Sequence, residues 1–306
     1  MKLFIIGNGF DRAHNLPTDY WDFRKYLEHY HPDFLYDFES RYSIYPKDTK
    51  EYKKSLLWSD FETNLANINE DVIIENAISI DMGLEDDSEV GIEDTLRSYF
   101  KEEYQYIYYL GGYLKRWVNG IKVKKARPRT SKICSVDENF YITFNYTSTL
   151  EKVYGIDNSQ VLHIHGSLFN ATDDPIIGHG NTVRLENIQK TICKAETEYD
   201  EKQMSICRVV QDYYQTTFKN VLQYMYKLSV LDKKNIEEIF IVGHSLKGVD
   251  LPYFLEIDKK TGKAAVWNII YYEESEKESM RLALISQGID AEKIKMQNAS
   301  QFYDIE

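Results

Sequence analysis

Four short segments rich in glycine and histidine, each closing an apolar run, constrain this chain more than anything else in it. They are Gly7-Asn8-Gly9-Phe10-Asp11, Thr143-Phe144-Asn145-Tyr146-Thr147, His163-Ile164-His165-Gly166-Ser167 and Gly243-His244-Ser245-Leu246. A short apolar run bounded by Gly or Asn reads as a buried parallel strand. The polar residues that end such a strand are delivered to one edge of a sheet, and in open α/β sheets that edge binds ligands. Four such endings point to one site assembled from distant sequence, and so to an enzyme rather than a plain globular domain.

The strand pattern covers Lys2–Ile6, Phe140–Phe144, Val161–Ile164, Ile239–Val242, Ala265–Tyr272 and Lys293–Met296. Helical patterns separate these runs. Asp11 is placed to cap a helix beginning near Arg12, and Thr18 or Asp19 to cap the next, through His29. Ser59 and Glu62 have the spacing of a capping box, with Phe61, Leu65 and Ile68 on one face of the helix that follows. Asp94–Val118 reads as a long aromatic helix and Met82–Gly91 as an acidic loop. Ser148–Tyr154 and Ile188–Leu231 are helical, with Ile206, Val209, Val210, Tyr213 and Phe218 as core positions. Pro175–Ile177 is a further apolar piece, and Glu273–Gln287 is a helix ending at Gly288. Alternating strands and helices predict an α/β fold, a doubly wound, mostly parallel sheet with large helical insertions. The expected division is an α/β core of residues 1–29 and 130–306 and a helical insertion of residues 30–129.

Charge and cysteine content exclude several classes. The formal net charge is −12, which argues against a general binder of nucleic-acid backbones. The basic run Lys122–Arg129 (KVKKARPR) is the one local exception. Three cysteines without a CxxC pair exclude a four-cysteine zinc ribbon and speak against a disulfide framework. No run approaches the about 20 apolar residues that span a bilayer. The expectation is a soluble, cytoplasmic protein without a membrane partner.

The segments themselves carry recognisable chemistry. Gly7-Asn8-Gly9 after a first strand is half of a dinucleotide fingerprint, with Arg12 where the last glycine would stand. Asp11 suits a helix cap or a ribose hydroxyl. His163 and His165 alternate on one strand, which puts both imidazoles on one face for metal binding or acid–base work. Five of the seven histidines (His14, His163, His165, His179, His244) lie in or beside the glycine motifs. Asn145 ends its strand with a carboxamide that can hold a water or a ribose hydroxyl. Ser245 follows Gly243-His244 in an order that suits an adenine- or ribose-contacting loop, and GHSLK lacks the final glycine of a nucleophile elbow.

LFIIGNGFDRAHNLPTDYWDF at the start resembles the bacteriophage abortive-infection AbiH family. So do WSDFE at Trp58–Glu62, FNYTSTLEKVY at Phe144–Tyr154, HIHGSL at His163–Leu168, IIGHGN at Ile176–Asn181 and GHSLKGVDLPYF at Gly243–Phe254. More distantly, the same order of motifs is similar to the sirtuin-like NAD-binding fold. That resemblance implies Asn145 and His165 at the nicotinamide ribose as catalytic residues. It implies cofactor contacts from Gly7, Asn8, Gly9, Phe10, Asp11, His163, Gly243, His244 and Ser245. The four zinc cysteines of deacylating sirtuins are missing, so the implied activity is cleavage of NAD at the nicotinamide–ribose bond rather than deacylation. Two other readings stay open. One is a metal-dependent hydrolase or nuclease using His163, His165, His179 and His244 with Asp250 or Asp11. The other is a non-enzymatic sensor of NAD or a related nucleotide, whose helical insertion binds a partner protein or forms a homo-oligomer.

Overall fold

A computed structural model describes residues 1–70, 98, 106–135, 139–166 and 175–305. The acidic loop expected at Met82–Gly91, the start of the long aromatic helix and Ser167-Leu168 lie outside these residues.

Six strands form one parallel sheet: β1 (Lys2–Ile6), β2 (Asn139–Thr143), β3 (Val161–His163), β4 (Glu238–Val242), β5 (Val266–Tyr271) and β6 (Ile294–Asn298). Their order is β3-β2-β1-β4-β5-β6. All six expected strands are present, so the fold is α/β and doubly wound. The registers run without a slip: Leu3 pairs with Phe140 and Ile239, Ile5 with Ile142 and Ile241. Alternation then sorts side chains onto two faces. Leu3, Ile5, Phe140, Ile142, Ile239, Ile241, Trp267 and Ile269 pack on one. Phe4, Ile6, Tyr141, Val242 and Ile270 pack on the other. A sheet buried on both faces must be apolar at successive positions, which is why these strands read as continuous apolar runs.

The chain groups into two compact units. One comprises Met1–Phe23, Leu114–Ile176 and Asn220–Glu306 and contains the sheet; the other comprises Arg24–Tyr113 and Ile177–Lys219. The second unit is held by buried charge. Glu39 accepts from Arg24 Nε at 2.7 Å, from Arg24 Nη2 at 3.0 Å and from Trp58 Nε1 at 2.7 Å, and Lys53 Nζ lies 3.9 Å away. Glu62 does not close a capping box. The helix Phe61–Asn64 starts after Asp60 with no side-chain cap, and Glu62 pairs instead with the fully buried Lys219 at 2.8 Å. A buried ammonium needs a carboxylate more than a helix end needs a cap. The expected helical stretch Ile188–Leu231 is divided among three elements. Thr182–Glu198 ends at Tyr199 in the left-handed region (φ 56°), Glu201–Thr216 follows, and Val221–Leu231 is 3₁₀.

The ends of the paired strands β1 and β4 approach each other closely. Gly7 N–H donates to Val242 O at 2.9 Å, and Gly9 N–H to Gly243 O at 2.7 Å. A Cβ on Gly7 would sit 2.6 Å from His244 Cα, and one on Gly9 2.8 Å from Gly243 Cα. Gly243 itself has φ +68°, and its Cβ would lie 2.1 Å from Phe10 N. Gly262 has nearly the same φ (+62°) with nothing within 4 Å of its Cβ.

These two glycines separate backbone strain from crowding. Gly262→Ala should cost about 1 kcal/mol, the left-handed penalty alone. Gly243→Ala adds overpacking against backbone and should cost about 3 kcal/mol or more. Urea unfolding of the two variants measures the difference, and equal losses would show that the β1–β4 approach is not tight in solution.

Candidate functional site

The motif residues gather at the carboxyl edge of the sheet, on either side of β1. The helix α1 (Asn8–Ala13) begins directly after β1 with Gly7 as its N-cap. Asp11 is therefore inside the helix and not its cap. Its side chain is buried and accepts hydrogen bonds from the hydroxyls of Thr147 and Thr149, the latter at 2.6 Å. Asn145 adds a second tie: its Nδ2 donates to Gly7 O at 3.1 Å, and its own N–H donates to Thr143 Oγ1 at 3.1 Å. The segment after β2 thus grips the segment after β1 through three side chains. Phe10 is fully buried, 4.4 Å ring to ring from His14. His14 links Phe10 O (2.7 Å) to Tyr154 Oη (2.6 Å), and burial lowers its pKa. Phe10 and Asp11, implied as cofactor contacts, are both buried. Asn8 is exposed, its Nδ2 bonded to Thr18 O at 2.9 Å.

The two histidines of the third segment have separate partners. β3 stops at His163, whose Nε2 lies 2.7 Å from Glu151 Oε1 and whose Nδ1 lies 3.4 Å from Asn145 O. Ile164 is fully buried between them. His165 follows the strand, and its Nε2 lies 3.3 Å from Asp250 Oδ1. The expected single face bearing both imidazoles is not formed, because the strand ends before the second ring.

Asp250 also approaches His244, Oδ2 to Nε2 at 4.0 Å. The other nitrogen of His244, Nδ1, accepts the Leu246 N–H at 3.0 Å, so a neutral His244 carries its proton on Nε2, toward Asp250. Leu246 is held at φ 54°, in the left-handed region that a non-glycine residue rarely adopts. Aromatic rings wall the two imidazoles. Phe144 stands edge-on to His165 at 5.3 Å and to His244 at 4.7 Å, and Tyr253 lies 5.7 Å from His165. Asp250 directly precedes the helix Leu251–Lys260, which contributes Tyr253 and Phe254. Ser245 is exposed beside this cluster. The result is a carboxylate between two imidazoles in an aromatic surround, open through the partly exposed Asp250. It is an arrangement suited to stabilising a charged imidazole and so to moving a proton.

His179 belongs to the second unit. Its Nδ1 accepts the Asn181 N–H at 3.1 Å, its backbone bridges to Phe218, and burial pushes its pKa down to about 4. Among the described residues no three His, Cys, Asp or Glu side chains converge as the ligands of a metal would. Residue patterning singles out the histidines but not their partners. Glu151 and Thr149 lie on a helix whose periodicity is unremarkable, and Asp250 appeared only as a possible metal ligand.

Asp11 gives the site a measurable signature. Burial, partly offset by the Thr147, Thr149 and Asn145 hydrogen bonds, raises its pKa from 3.8 to about 6. Folding therefore favours the protonated acid. The associated stability is fully present below pH 3.8 and is lost as the pH rises through about 6, an effect of about 3 kcal/mol. Asp11→Asn keeps the shape and cannot ionise. Relative to that variant, the wild type should lose stability between about pH 4 and about pH 7 in urea unfolding. Parallel profiles would show that Asp11 does not titrate in the fold.

None of the curated proteins compared with the chain matches it. The family model described as "Bacteriophage abortive infection AbiH" matches residues 3–271, from the first residues of β1 to the end of β5, and so includes every segment of the site. The chain belongs to the bacteriophage abortive infection AbiH family, and its role is abortive-infection defence against phage.

Proposed function

We propose that this AbiH protein defends by hydrolysing NAD at the nicotinamide–ribose bond. The observation that carries the reading is the strand order β3-β2-β1-β4-β5-β6. It is the order of doubly wound dinucleotide-binding sheets, which hold their ligand at the β1/β4 switch point. All four motif segments follow β1, β2, β3 and β4, the strands that flank that point. The similarity of the motif order to sirtuin-like NAD-binding domains supports the same ligand.

In this reading Gly7, Asn8 and Gly9 line the pyrophosphate, and Gly243, His244 and Ser245 the far end of the dinucleotide. Asn145 keeps the first loop in place through Gly7 and orients the attacking water through its side-chain oxygen. The water oxygen bonds to the ribose C1′ while the C1′–N bond breaks. The bonding pair returns to the nicotinamide ring and cancels its positive charge. The proton released by the water goes to His165. Asp250, 3.3 Å from Nε2, offsets the charge that His165 gains. Nicotinamide and ADP-ribose leave, and His165 returns its proton to solvent. General base help of this kind is worth about 10²- to 10⁴-fold.

The test is a time course of purified protein with NAD, read by chromatography. Wild type should release nicotinamide, and His165→Ala should be slower by about 10²-fold or more. Asp250→Asn should lose activity in the same direction with the protein still folded. Full activity of His165→Ala would remove His165, and with it this mechanism.

A further inference from the structure

The segment Leu114–Lys132 carries eight lysines and arginines and no aspartate or glutamate, in a chain of net charge −12. Four of these cations, Lys122, Lys124, Lys125 and Arg127, are exposed and form no ion pair with any described residue. Ordinary solvated faces mix both signs, because like charges held together repel. Here the repulsion is built into an ordered backbone. Val123 is buried and anchors a 3₁₀ turn, Val123–Lys125, closed by Lys125 N–H to Lys122 O and Ala126 N–H to Val123 O, both 3.0 Å. The chain then runs extended from Ala126. It is pinned again at Arg129, whose N–H donates to Tyr154 Oη at 3.0 Å and whose carbonyl accepts from Ile305 N–H at 3.2 Å. Thr130 Oγ1 donates to Phe302 O at 2.6 Å. Four cations are thus displayed on a pre-ordered turn, so a partner would meet them with little ordering cost.

We propose that this turn is a docking surface for the phosphate backbone of duplex nucleic acid. The side chains around the cations select among polyanions. No large apolar side chain is exposed among the described residues of Leu114–Ser135. A lipid surface is held by apolar insertion as well as charge, and a protein partner by buried aromatic or aliphatic anchors; this surface offers neither. Single strands gain from aromatic platforms on which bases stack, and Trp117 is buried. What remains is charge alone, which favours the polyanion of highest linear density, the duplex, and reads no sequence.

The experiment is fluorescence anisotropy of the full chain with a labelled random-sequence DNA duplex, with its single strand, and with phosphatidylglycerol vesicles in parallel. The duplex should bind more tightly than the strand. With four phosphates contacted, affinity should fall about 100-fold between about 50 and about 200 mM salt. Lys124→Gln/Lys125→Gln should weaken binding about tenfold and flatten the log–log salt slope by about 2. The quadruple Lys122→Glu/Lys124→Glu/Lys125→Glu/Arg127→Glu should abolish binding with the circular dichroism unchanged. No duplex binding at about 50 mM salt would overturn the proposal. So would binding that both variants retain, or capture by vesicles in preference to duplex.

Discussion

Where β1 and β4 end, main chain lies against main chain with no side chain between. Gly7 and Gly9 face Gly243 and His244 at distances a methyl group cannot enter. Close packing allows such an approach only because Gly7, Gly9 and Gly243 carry no Cβ. Everything at the carboxyl edge follows from it. The two central strands register without a slip, α1 begins directly at the strand end, and Gly243 turns in the left-handed region so that His244 stands over Phe144. Loosen this contact and His244 loses its fixed position relative to Asp250 and the loop after β2.

A polar layer lies directly behind it. Asp11, Thr147 and Thr149 form a buried hydrogen-bonded set, and Asn145 ties the same two segments through Gly7 O. Such a network is costly if any member is missing and specific when complete. It joins the GNGFD and FNYTST segments more than 130 residues apart, and it explains why both contain buried polar residues. Beyond it the charged groups sort by strand. His163 turns to Glu151 on the β3 side, while His165 turns to Asp250 toward β4.

The sheet was legible because its residues answer to local rules. Apolar runs of strand length, glycines at their ends and helical periodicity between them lead to all six strands. Some helix ends were legible as well: Asp19 accepts the Trp21 N–H, and Gly288 follows its helix at φ +86°. Local rules failed where distant partners outweighed them. Asp11 looked like a cap because its hydroxyl partners lie on another segment. Ser59 and Glu62 had capping-box spacing, yet Lys219 claimed the carboxylate. The break at Tyr199 carries no glycine to mark it. The site was legible as a list of residues and not as a set of pairs, since spacing shows which side chains reach an edge and says nothing of which neighbour each one meets there.

The topology also sets a timetable. β1 is the first strand made, but its two neighbours are β2 and β4, and Lys2 pairs with Asn139 on one side and Glu238 on the other. At the usual pace of about 5–20 residues per second, β1 waits for seconds to tens of seconds before both flanks exist. Contacts this distant also make folding slow once the chain is complete. The carboxyl-edge site, which needs β1 through β4 in place, is therefore the last part of the sheet's central region to come together. A growing chain carries the motifs long before it carries the site. Any activity that needs the assembled edge is thus withheld during synthesis by strand order itself.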